Sequence, residues 1–599
     1  MGPQHTQCRA RGGPRTTCRS HHQHTLEPLI RIAVIGGGPK CLFALLALHD
    51  LIPAAQSPRI SVDVYDPLPP GAGSVWRVTQ PEVLRLNVNA GIVDASSSLS
   101  QENFTRWIAR VAPERSKEKY PPRVFVGRYL NEQFQLLYHH GNIGLTHIPL
   151  VVTGVERHGS RWRVSGPLSS QEYDEVLLAT GHGATGHGLA GELRPDPLAG
   201  ALNSSPLMGD YTALNKTDVA GGAEVWIRGA ALTAYDVALL LTEGRGGTWQ
   251  PSGDGSDGVL YIPSGEEPRR ITFFSRSGAL MEPKPEHVPA EISPCLDVYR
   301  QRLRQWGVQT RDPNSDAGRR PSWRRPAGRV LAEHALAKQV VAGQALAGMW
   351  RVLLECAMEC ARLMGAPTGA LELWRTALTG DSVSASPDTG KLSQETNAAV
   401  LLRNSLCVNQ LRAPVTTGWI WARVWSGLYA ELVVAMDRLP RTTGEWRLFT
   451  RVARNLEKFT FGPPELTARK LVALLEAGIL HVAGAGEKPP AGAVLVDAVT
   501  PGPGVLRRPA PEAEPNSDLA AQLLRAGEVM VRPGERGLLT DLDGTCLARD
   551  GSRNERLAAL GRPTEDPTLG HDTLNRSLHG EYRLWAQRVA ARAAAQPDS

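Results

Sequence analysis

The chain of 599 residues lacks a long uninterrupted apolar stretch and lacks a block of basic residues. Its longest apolar runs, such as residues 42–48, fall far short of the about 20 residues that a membrane-spanning helix needs. The 66 basic and 60 acidic residues are mixed along the chain, for a net charge of +6. We therefore expect neither a membrane nor a nucleic acid as partner.

The chain also lacks a C-x-x-C pair, although it has eight cysteines. Cys356 and Cys360 are one helical turn apart, a spacing typical of core packing. Cys18 lies near three histidines, but no second set of ligands accompanies them. The sequence therefore predicts no metal site and reduced thiols.

Residues 1–28 contain almost no apolar side chains and lack the apolar core of a secretory signal. We interpret this segment as a disordered tail and expect a cytoplasmic location.

A buried strand followed by closely spaced glycines lies near the start of the chain. Residues 32–35 are apolar and mostly β-branched, Gly36 and Gly38 predict a sharp turn, and residues 42–48 read as a helix. This order is typical of a dinucleotide-binding unit, in which backbone N–H groups and the helix N-terminus meet a pyrophosphate. Pro39, Lys40 and Cys41 complete the turn, with Cys41 where Gly or Ala is usual.

The next segments supply further candidate binding residues. Asp66 ends an alternating strand and is placed to accept ribose hydroxyls, although a solvent-facing acid is the alternative. Trp76 and Arg77 end a Gly-rich loop suited to lie against a large flat ligand, with Trp76 in the core as the alternative. Thr180 and Gly181 close a later buried strand.

A second unit of this kind begins at residues 224–228, an apolar strand followed by Gly229, Ala231 and Thr233. Ala231 stands where the middle glycine is usual, and a methyl group there partly obstructs a pyrophosphate. Arg276 follows the next strand, where a cation meets a ribose 2′-phosphate and NAD-specific domains prefer an acid. This pattern favours NADPH, although exposed arginines at strand ends are common.

The pattern predicts an α/β fold with two Rossmann-like dinucleotide-binding domains and a large helical insertion. The expected units are a tail (1–28), a first domain (29–185), a second domain (186–290), a helical insertion that covers the substrate (291–485) and a return to the first domain (486–599). The strand at residues 493–500 begins that return.

The motif Asp541-Leu542-Asp543-Gly544-Thr545 has the letters of a phosphatase nucleophile motif. Only 56 residues remain after Asp543, too few for the sheet and further motifs of that chemistry. An Asp-Gly hairpin turn explains the same residues.

With both glycine turns, the Gly71–Gly73 loop and Thr180-Gly181 in place, the chain resembles flavoproteins with two dinucleotide-binding domains, close to the actinobacterial FAD/NAD(P)-binding proteins related to N-hydroxylating monooxygenases. Its size and helical insertion resemble those of nitrosuccinate synthases, which oxidise the amine of L-aspartate to a nitro group. The matching segments are residues 32–41, 65–91, 177–181, 225–236, 271–278 and 560–576.

The resemblance implies a monooxygenase that binds FAD in the first domain and NADPH in the second, and that uses O2 to oxidise a small amino acid in a biosynthetic pathway. Asn87 resembles the active-site asparagine of flavin monooxygenases, with a turn asparagine as the alternative. Arg85 or Lys284 is placed to pair with a substrate carboxylate, unless either lies on the surface. Residues 569–573 are expected near the flavin.

Two other functions stay open at this point. One is an FAD- and NAD(P)H-dependent dehydrogenase or reductase without oxygen insertion. The other is a catalytically silent nucleotide-binding protein, with Cys41 and Ala231 as signs of decay. The sequence indicates no oligomeric state.

Overall fold

The structure is a computed structural model, which describes residues 30–53, 60–181, 207, 209–253, 257–311, 345–382, 394–484, 486–508 and 515–595. The tail over residues 1–28, with Cys18 and its neighbouring histidines, lies outside these ranges. Helices alternate with strands around two largely parallel sheets, so the α/β prediction is confirmed. Within the described ranges, none of the helices has the length and apolar character needed to cross a bilayer.

The strands, numbered along the chain, are β1 (Ile30–Ile35), β2 (Ile60–Tyr65), β3 (Gly144–Ile148), β4 (Gly154–His158), β5 (Arg161–Ser165), β6 (Ser170–Tyr173), β7 (Glu175–Leu178), β8 (Glu224–Arg228), β9 (Thr248–Pro251), β10 (Val259–Ile262), β11 (Arg270–Phe274), β12 (Leu480–Val482), β13 (Val494–Asp497), β14 (Thr545–Leu547) and β15 (Arg553–Ala559).

The helices are α1 (Pro39–Leu51), α2 (Phe104–Val111), α3 (Arg123–His140), α4 (Leu232–Leu241), α5 (Ser293–Arg311), α6 (Ala345–Leu363), α7 (Ala370–Thr379), α8 (Gln394–Asn409), α9 (Thr417–Met436), α10 (Thr443–Thr460), α11 (Glu465–Glu476), α12 (Asp518–Ala526) and α13 (Glu581–Ala595).

The first sheet has six strands in the order β14-β15-β7-β1-β2-β3, with only β14 antiparallel to its neighbour. The apolar side chains of β1 are buried on both faces, as its unbroken apolar sequence predicts. Helices α1, α3 and α13 cover one face, and the antiparallel layer β4–β6 with α12 covers the other.

The second sheet has four parallel strands in the order β12-β11-β8-β13. Here the structure corrects two expectations about the chain's organisation. Strand β13 pairs with β8, whereas the sequence analysis assigned it to the return to the first unit. Helix α11 and β12, expected within the helical insertion, pack into this second sheet. A short apolar strand buries equally well in either sheet, so its sequence does not identify its partner.

Between β11 and β12 in the chain, helices α5, α6, α7, α9 and α10 form a bundle, and α8 packs mainly against α11 and β12 of the second unit. The core of the bundle is built from apolar and aromatic side chains, with Trp421 and Trp425 fully buried and Trp446 stacked on Phe449. The aromatic residues of α9 therefore pack helix on helix, as predicted.

The chain returns to the first sheet after α12, where β15 pairs with β7. The segment Asp541–Thr545 is a turn: Gly544 has φ +76° and Thr540 bridges Cys546 in antiparallel register. Arg553 pairs with both Asp541 and Asp543. The hairpin interpretation of this motif is confirmed.

A buried carboxylate attaches the C-terminal helix to the first sheet. The side chain of Glu175, in β7, is fully buried and accepts hydrogen bonds from Trp585 Nε1 at 2.8 Å and Arg588 Nη2 at 2.6 Å. Arg592 pairs with the same carboxylate. Three donors on α13 therefore converge on one strand residue.

We expect Glu175→Gln to destabilise the protein by about 1.5–3 kcal/mol, because it removes the charge of a fully buried carboxylate that binds the half-buried Arg588 and Arg592. Urea denaturation measures this loss. The matched control is Glu156→Gln in β4, where the side chain is exposed and a change within about 0.5 kcal/mol is expected. Equal losses in the two variants would contradict the role of Glu175.

Candidate functional site

The first glycine turn joins the carboxyl ends of β1, β2 and β7. Gly36 has φ +100° and donates its N–H to the carbonyl of Tyr65 at 2.9 Å. A Cβ at Gly36 would lie 2.3 Å from the carbonyl oxygen of Ala179. Only glycine fits this position, because both the backbone conformation and the close approach exclude a side chain.

A second loop crosses this turn at the N-terminus of α1. Gly73 has φ +66°, and a Cβ there would lie 2.9 Å from Gly38 Cα. Gly38 is the residue that precedes α1, and Pro39 is its first residue. The first N–H groups of a helix have no partner within the helix and attract anions. Because Gly38 and Gly73 carry no side chains, a phosphate can approach the N–H groups at the start of α1.

A cavity of about 330 Å³ opens at this helix N-terminus. Its volume lies within the range of small-molecule sites, about 300–1,000 Å³. It is lined by Gly36, Gly38, Pro39, Lys40, Asp66, Ala72, Gly73, Ser74, Val75, Trp76, Ala179, Thr180, Gly181, Leu560, Arg562, Asp572, Thr573 and Leu574. Eight of the residues predicted to bind a cofactor thus surround one space.

Asp66 lines the cavity and also fixes the turn. Its Oδ2 accepts from the N–H of Gly37 at 2.7 Å, and its Oδ1 accepts from the N–H of Leu68 at 2.8 Å. Burial raises the pKa of this carboxyl, and the two backbone donors oppose the shift. The predicted ribose contact of Asp66 stays a prediction, beside this structural role.

Two predicted binding residues from the first glycine turn and the Gly-rich loop after β2 are not among those that line the cavity. Cys41 is fully buried in the core, and burial raises the pKa of its thiol. Arg77 forms an ion pair with Asp210 at 2.9 Å. Cys41 therefore acts on the turn through packing, and the charge of Arg77 is already paired.

The C-terminal segment supplies one wall of the cavity. Asp572 and Thr573, from the segment that the resemblance places near the flavin, line it, and Arg562 donates to Asp572 at 2.9 Å. Burial lowers the pKa of Lys40 to about 8, and Asp572 is the first of the carboxylates that oppose the shift.

The sequence analysis included residues 560–576 among the matching segments but did not select Leu560, Arg562 or Leu574 individually, because they lie some 500 residues from the glycine turn and carry no motif of their own. Nor did it select Gly73 and Ser74 as individual site residues. The paired glycines of residues 70–74 were the available signal.

The second glycine turn follows β8. Gly229 has φ +119° and donates its N–H to the carbonyl of Phe274 at 2.9 Å. Ala231 precedes α4 in extended backbone, which any residue adopts, so its methyl group causes no backbone strain. Thr233 lies in the first turn of α4, and its hydroxyl is 3.4 Å from that of Thr500. Arg276 is exposed just after β11, the neighbour of β8.

The predicted active-site asparagine lies apart from the large cavity. Asn87 lines a narrow cleft together with Arg85, Arg123, Tyr235 and Asp236. This cleft lies between the first unit and helix α4 of the second. Arg85 forms an ion pair with Glu118.

Lys284 is not among the residues that line either space. Its ammonium lies 4.7 Å from the centre of the Tyr120 ring. Burial lowers its pKa to about 7, opposed by Glu286.

Comparison with known proteins assigns the first unit. Residues 33–183 match the model of the FAD-NAD(P)-binding family. The glycine positions that a Cβ would fill and the cavity at the N-terminus of α1 fit the pyrophosphate of such a cofactor. Residues 33–183 are therefore similar to an FAD-NAD(P)-binding domain.

The resemblance to nitrosuccinate-forming enzymes is also confirmed. The chain is 30% identical over 310 residues to an L-aspartate N-monooxygenase (nitrosuccinate-forming) of Streptomyces cremeus, covering 45% of this chain and 44% of the relative. It is 26% identical over 321 residues to the nitrosuccinic acid synthase npaA of Aspergillus oryzae, covering 48% and 47%. The chain thus spans just under half the length of these curated relatives.

Solved structures give more distant likenesses. The OTEMO complex with FAD and NADP aligns with 95% of this chain and 84% of its own, at 11% identity and a TM-score of 0.38. Closed cyclohexanone monooxygenase aligns with 57% of this chain and 60% of its own, at 14% identity and a TM-score of 0.28.

We expect Gly73→Ala to weaken FAD binding at least about tenfold, equivalent to about 1.4 kcal/mol. The added methyl group would push the loop away from Gly38 and widen the turn. Gly159→Ala is the matched control: Gly159 has a similar φ of +61°, and a Cβ there meets nothing within 4 Å. Flavin fluorescence titration measures both affinities. Equal weakening in the two variants would show that backbone strain alone is responsible.

We expect FAD affinity to fall several-fold between pH 7 and pH 9. The lowered pKa of Lys40, about 8, means that its charge is present at the lower pH and lost at the higher, together with its attraction for phosphate. Lys40→Met should remove this pH dependence. A wild type whose dissociation constant is flat across this range would contradict a contact between Lys40 and the cofactor.

Proposed function

We propose that this protein is a flavin-dependent monooxygenase that uses NADPH and O2 to oxidise the amine of a small amino acid, L-aspartate to nitrosuccinate. The observation that carries the proposal is the cavity at the first glycine turn, within a domain that matches the FAD-NAD(P)-binding family. The names of the curated relatives supply the reaction and the substrate.

The proposal assigns FAD to the first sheet and NADPH to the second. Gly229 and the N-terminus of α4 repeat the arrangement of the first turn, with Thr233 in the first helical turn. Arg276 at the end of β11 supplies a cation where a 2′-phosphate would lie. In this account the second domain also includes α11, β12 and β13, and α5 to α10 form the insertion that covers the substrate.

Bound FAD, once reduced by NADPH, supplies the activation of O2. The chain's own residues must bind the amine in its neutral form, orient it and exclude water. The first oxidation is balanced as R–NH2 + O2 + NADPH + H+ giving R–NHOH + H2O + NADP+. Further oxygen transfers to the same nitrogen would lead to the nitro group.

We propose that the substrate lies beside the cleft at Asn87, because this cleft lies between the two nucleotide-binding units; the cleft itself, about 20 Å³, admits only a group the size of a water molecule. The amide of Asn87 can donate to the activated oxygen or to the substrate. Lys284 and Arg85 are the proposed carboxylate partners. Of these two residues we favour Lys284. Burial lowers its pKa, and an anionic substrate would stabilise the protonated, charged form of its side chain.

A dehydrogenase or reductase without oxygen insertion is the second candidate. The observation that favours it is the position of Asn87, which lines the narrow cleft and is not among the residues of the 330 Å³ cavity. In that case Asn87 would not contact the activated oxygen, and the reduced flavin would pass its electrons to another acceptor.

We expect Arg276→Glu to raise the KM for NADPH by at least about tenfold, because it replaces attraction for the 2′-phosphate by repulsion. Steady-state kinetics with NADPH and NADH measure the effect. The KM for NADH is the internal control and should change little, since NADH lacks the 2′-phosphate. An unchanged KM for NADPH would place the 2′-phosphate elsewhere.

We expect L-aspartate to stimulate NADPH oxidation by the FAD-loaded protein more than other amino acids do. With 18O2, mass spectrometry should find labelled oxygen on the substrate nitrogen. L-asparagine and L-glutamate are the matched controls, since each changes only the side-chain carboxylate or its reach. NADPH oxidation without oxygen transfer would support the dehydrogenase or reductase. A protein that binds no flavin would contradict both enzymatic functions.

A further inference from the structure

Two histidines and a glutamate lie together behind the C-terminal wall of the cavity. His571, His579 and Glu581 are all buried, with 2%, 7% and 4% of their surface exposed. His571 Nε2 lies 3.8 Å from Glu581 Oε2, and His579 Nδ1 lies 3.9 Å from Glu581 Oε1. The two imidazole rings are 4.6 Å apart. We refer to these three residues as the His-His-Glu cluster.

Each ring has a hydrogen-bond partner on its far side. The hydroxyl of Thr564 can donate to the carbonyl of Gly561 at 2.9 Å, and in that orientation it accepts from His571 Nδ1 at 2.5 Å. His579 Nε2 lies 3.1 Å from the carbonyl of Gly570, which can only accept. In this arrangement the protons sit on His571 Nδ1 and His579 Nε2, and the lone pairs of the other two nitrogens face Glu581.

The carboxylate adds a third acceptor without a matching donor. Glu581 Oε1 accepts from Arg438 Nη1 at 3.1 Å, whereas the buried Oε2 has no hydrogen-bond partner. Three electron-pair donors thus face one another in a buried place. Such an arrangement is costly unless a proton or a cation lies between them.

The charged groups around the cluster are of both signs. The cations Lys40 and Arg438 lie close to Glu581, and Arg438 forms an ion pair with it at 3.1 Å. The anions Glu581 and Asp437 oppose those cations within the same region. The surroundings are thus mixed in sign, and a bound cation would be compensated by carboxylates.

We propose that His571, His579 and Glu581 bind a divalent transition-metal ion of the zinc class. Two imidazoles and one carboxylate are ligands that such ions prefer. Tetrahedral coordination at about 2.0–2.1 Å places ligand atoms about 3.3–3.4 Å apart. One ligand atom from each of the three residues lies within 4.8 Å of the others, so side-chain rotations that shorten these distances by up to about 1.4 Å would complete the site. Thr564 and Gly570 hold the far nitrogens, as the outer partners of metal-bound histidines do.

The position of the site indicates its consequence. Residues 572–574 follow His571 and precede His579 in the sequence, and they line the cavity. Glu581 is the first residue of α13. A metal ion held here fastens this wall segment at both ends. The proposal concerns binding alone and does not depend on the reaction proposed above.

The test must separate this site from a second group of potential ligands. Within the described residues, Cys295, Cys356 and Cys360 also come together, with Cys360 Sγ 4.0 Å from Cys295 Sγ. Co2+ distinguishes them, because thiolate ligands give intense near-ultraviolet charge-transfer bands that nitrogen and oxygen ligands do not. The full chain, loaded with FAD and freed of metal by chelator dialysis, is titrated with Co2+ and then Zn2+.

We expect the wild type to bind one equivalent of Co2+ with a visible d–d spectrum, and Zn2+ to displace it and raise the melting temperature. His571→Gln and His579→Gln should each lose this equivalent and the thermal shift. His49→Gln is the matched control, since His49 is also buried and hydrogen-bonded but lies outside the cluster. Far-ultraviolet circular dichroism and FAD content verify that each variant is folded.

Two results would overturn the proposal. One is a wild type that binds no Co2+ or Zn2+ at micromolar concentrations, in which case the ammonium of Lys40 or a water molecule donates to the cluster. The other is binding that persists in both histidine variants and is lost only in Cys356→Ser, which would assign the ion to the thiols.

Discussion

The close approach of three backbone segments at Gly36 is the constraint on which the rest of the structure depends. The carbonyl of Ala179 lies where a side chain of Gly36 would be, and the N–H of Gly36 bonds to the end of β2. Strands β1, β2 and β7 therefore end at one place, and α1 begins there. This junction determines where the cavity lies. It also positions the first turn of α1 and the C-terminal segment, which form the walls of the cavity.

A second constraint joins the two nucleotide-binding units. Arg123, the first residue of α3, donates to both oxygens of Asp236 in α4, at 2.6 and 3.2 Å, and through Nε to the carbonyl of Arg85 at 2.8 Å. Burial raises the pKa of the Asp236 carboxyl, and Arg123 opposes that shift. Because a buried pair is costly to break, this contact holds the two glycine turns in a fixed relation. The cleft at Asn87 is lined by the same pair.

Much of this architecture could be predicted from the sequence. The apolar run of β1, the glycines after it and the acid at the end of β2 identify their elements because each follows a local rule of period or turn chemistry. Strand β8 has the bounds that its sequence predicts. These signals are contained within about 15 residues, which is why a reading along the chain finds them.

The parts that were not predicted depend on contacts between distant segments. Strand β13 is a short apolar run with nothing to identify its partner, and it joins the second sheet rather than the first. Arg562 and Leu574 reach the cavity only because β15 pairs with β7. Asn87 was placed by resemblance alone, and the structure separates it from the residues of the large cavity. The His-His-Glu cluster is invisible in sequence, because its meaning comes from which ring nitrogens are already bonded.

The most direct measurement of the account is a crystal structure of the protein grown with FAD. We expect the flavin dinucleotide in the cavity at the first glycine turn, with its pyrophosphate against the N-terminus of α1 and its adenosine ribose within hydrogen-bonding distance of Asp66. Electron density for the flavin at the second turn, beside Gly229, or a cavity at Gly36 that stays free of flavin at saturating concentration, would contradict the assignment of the two units.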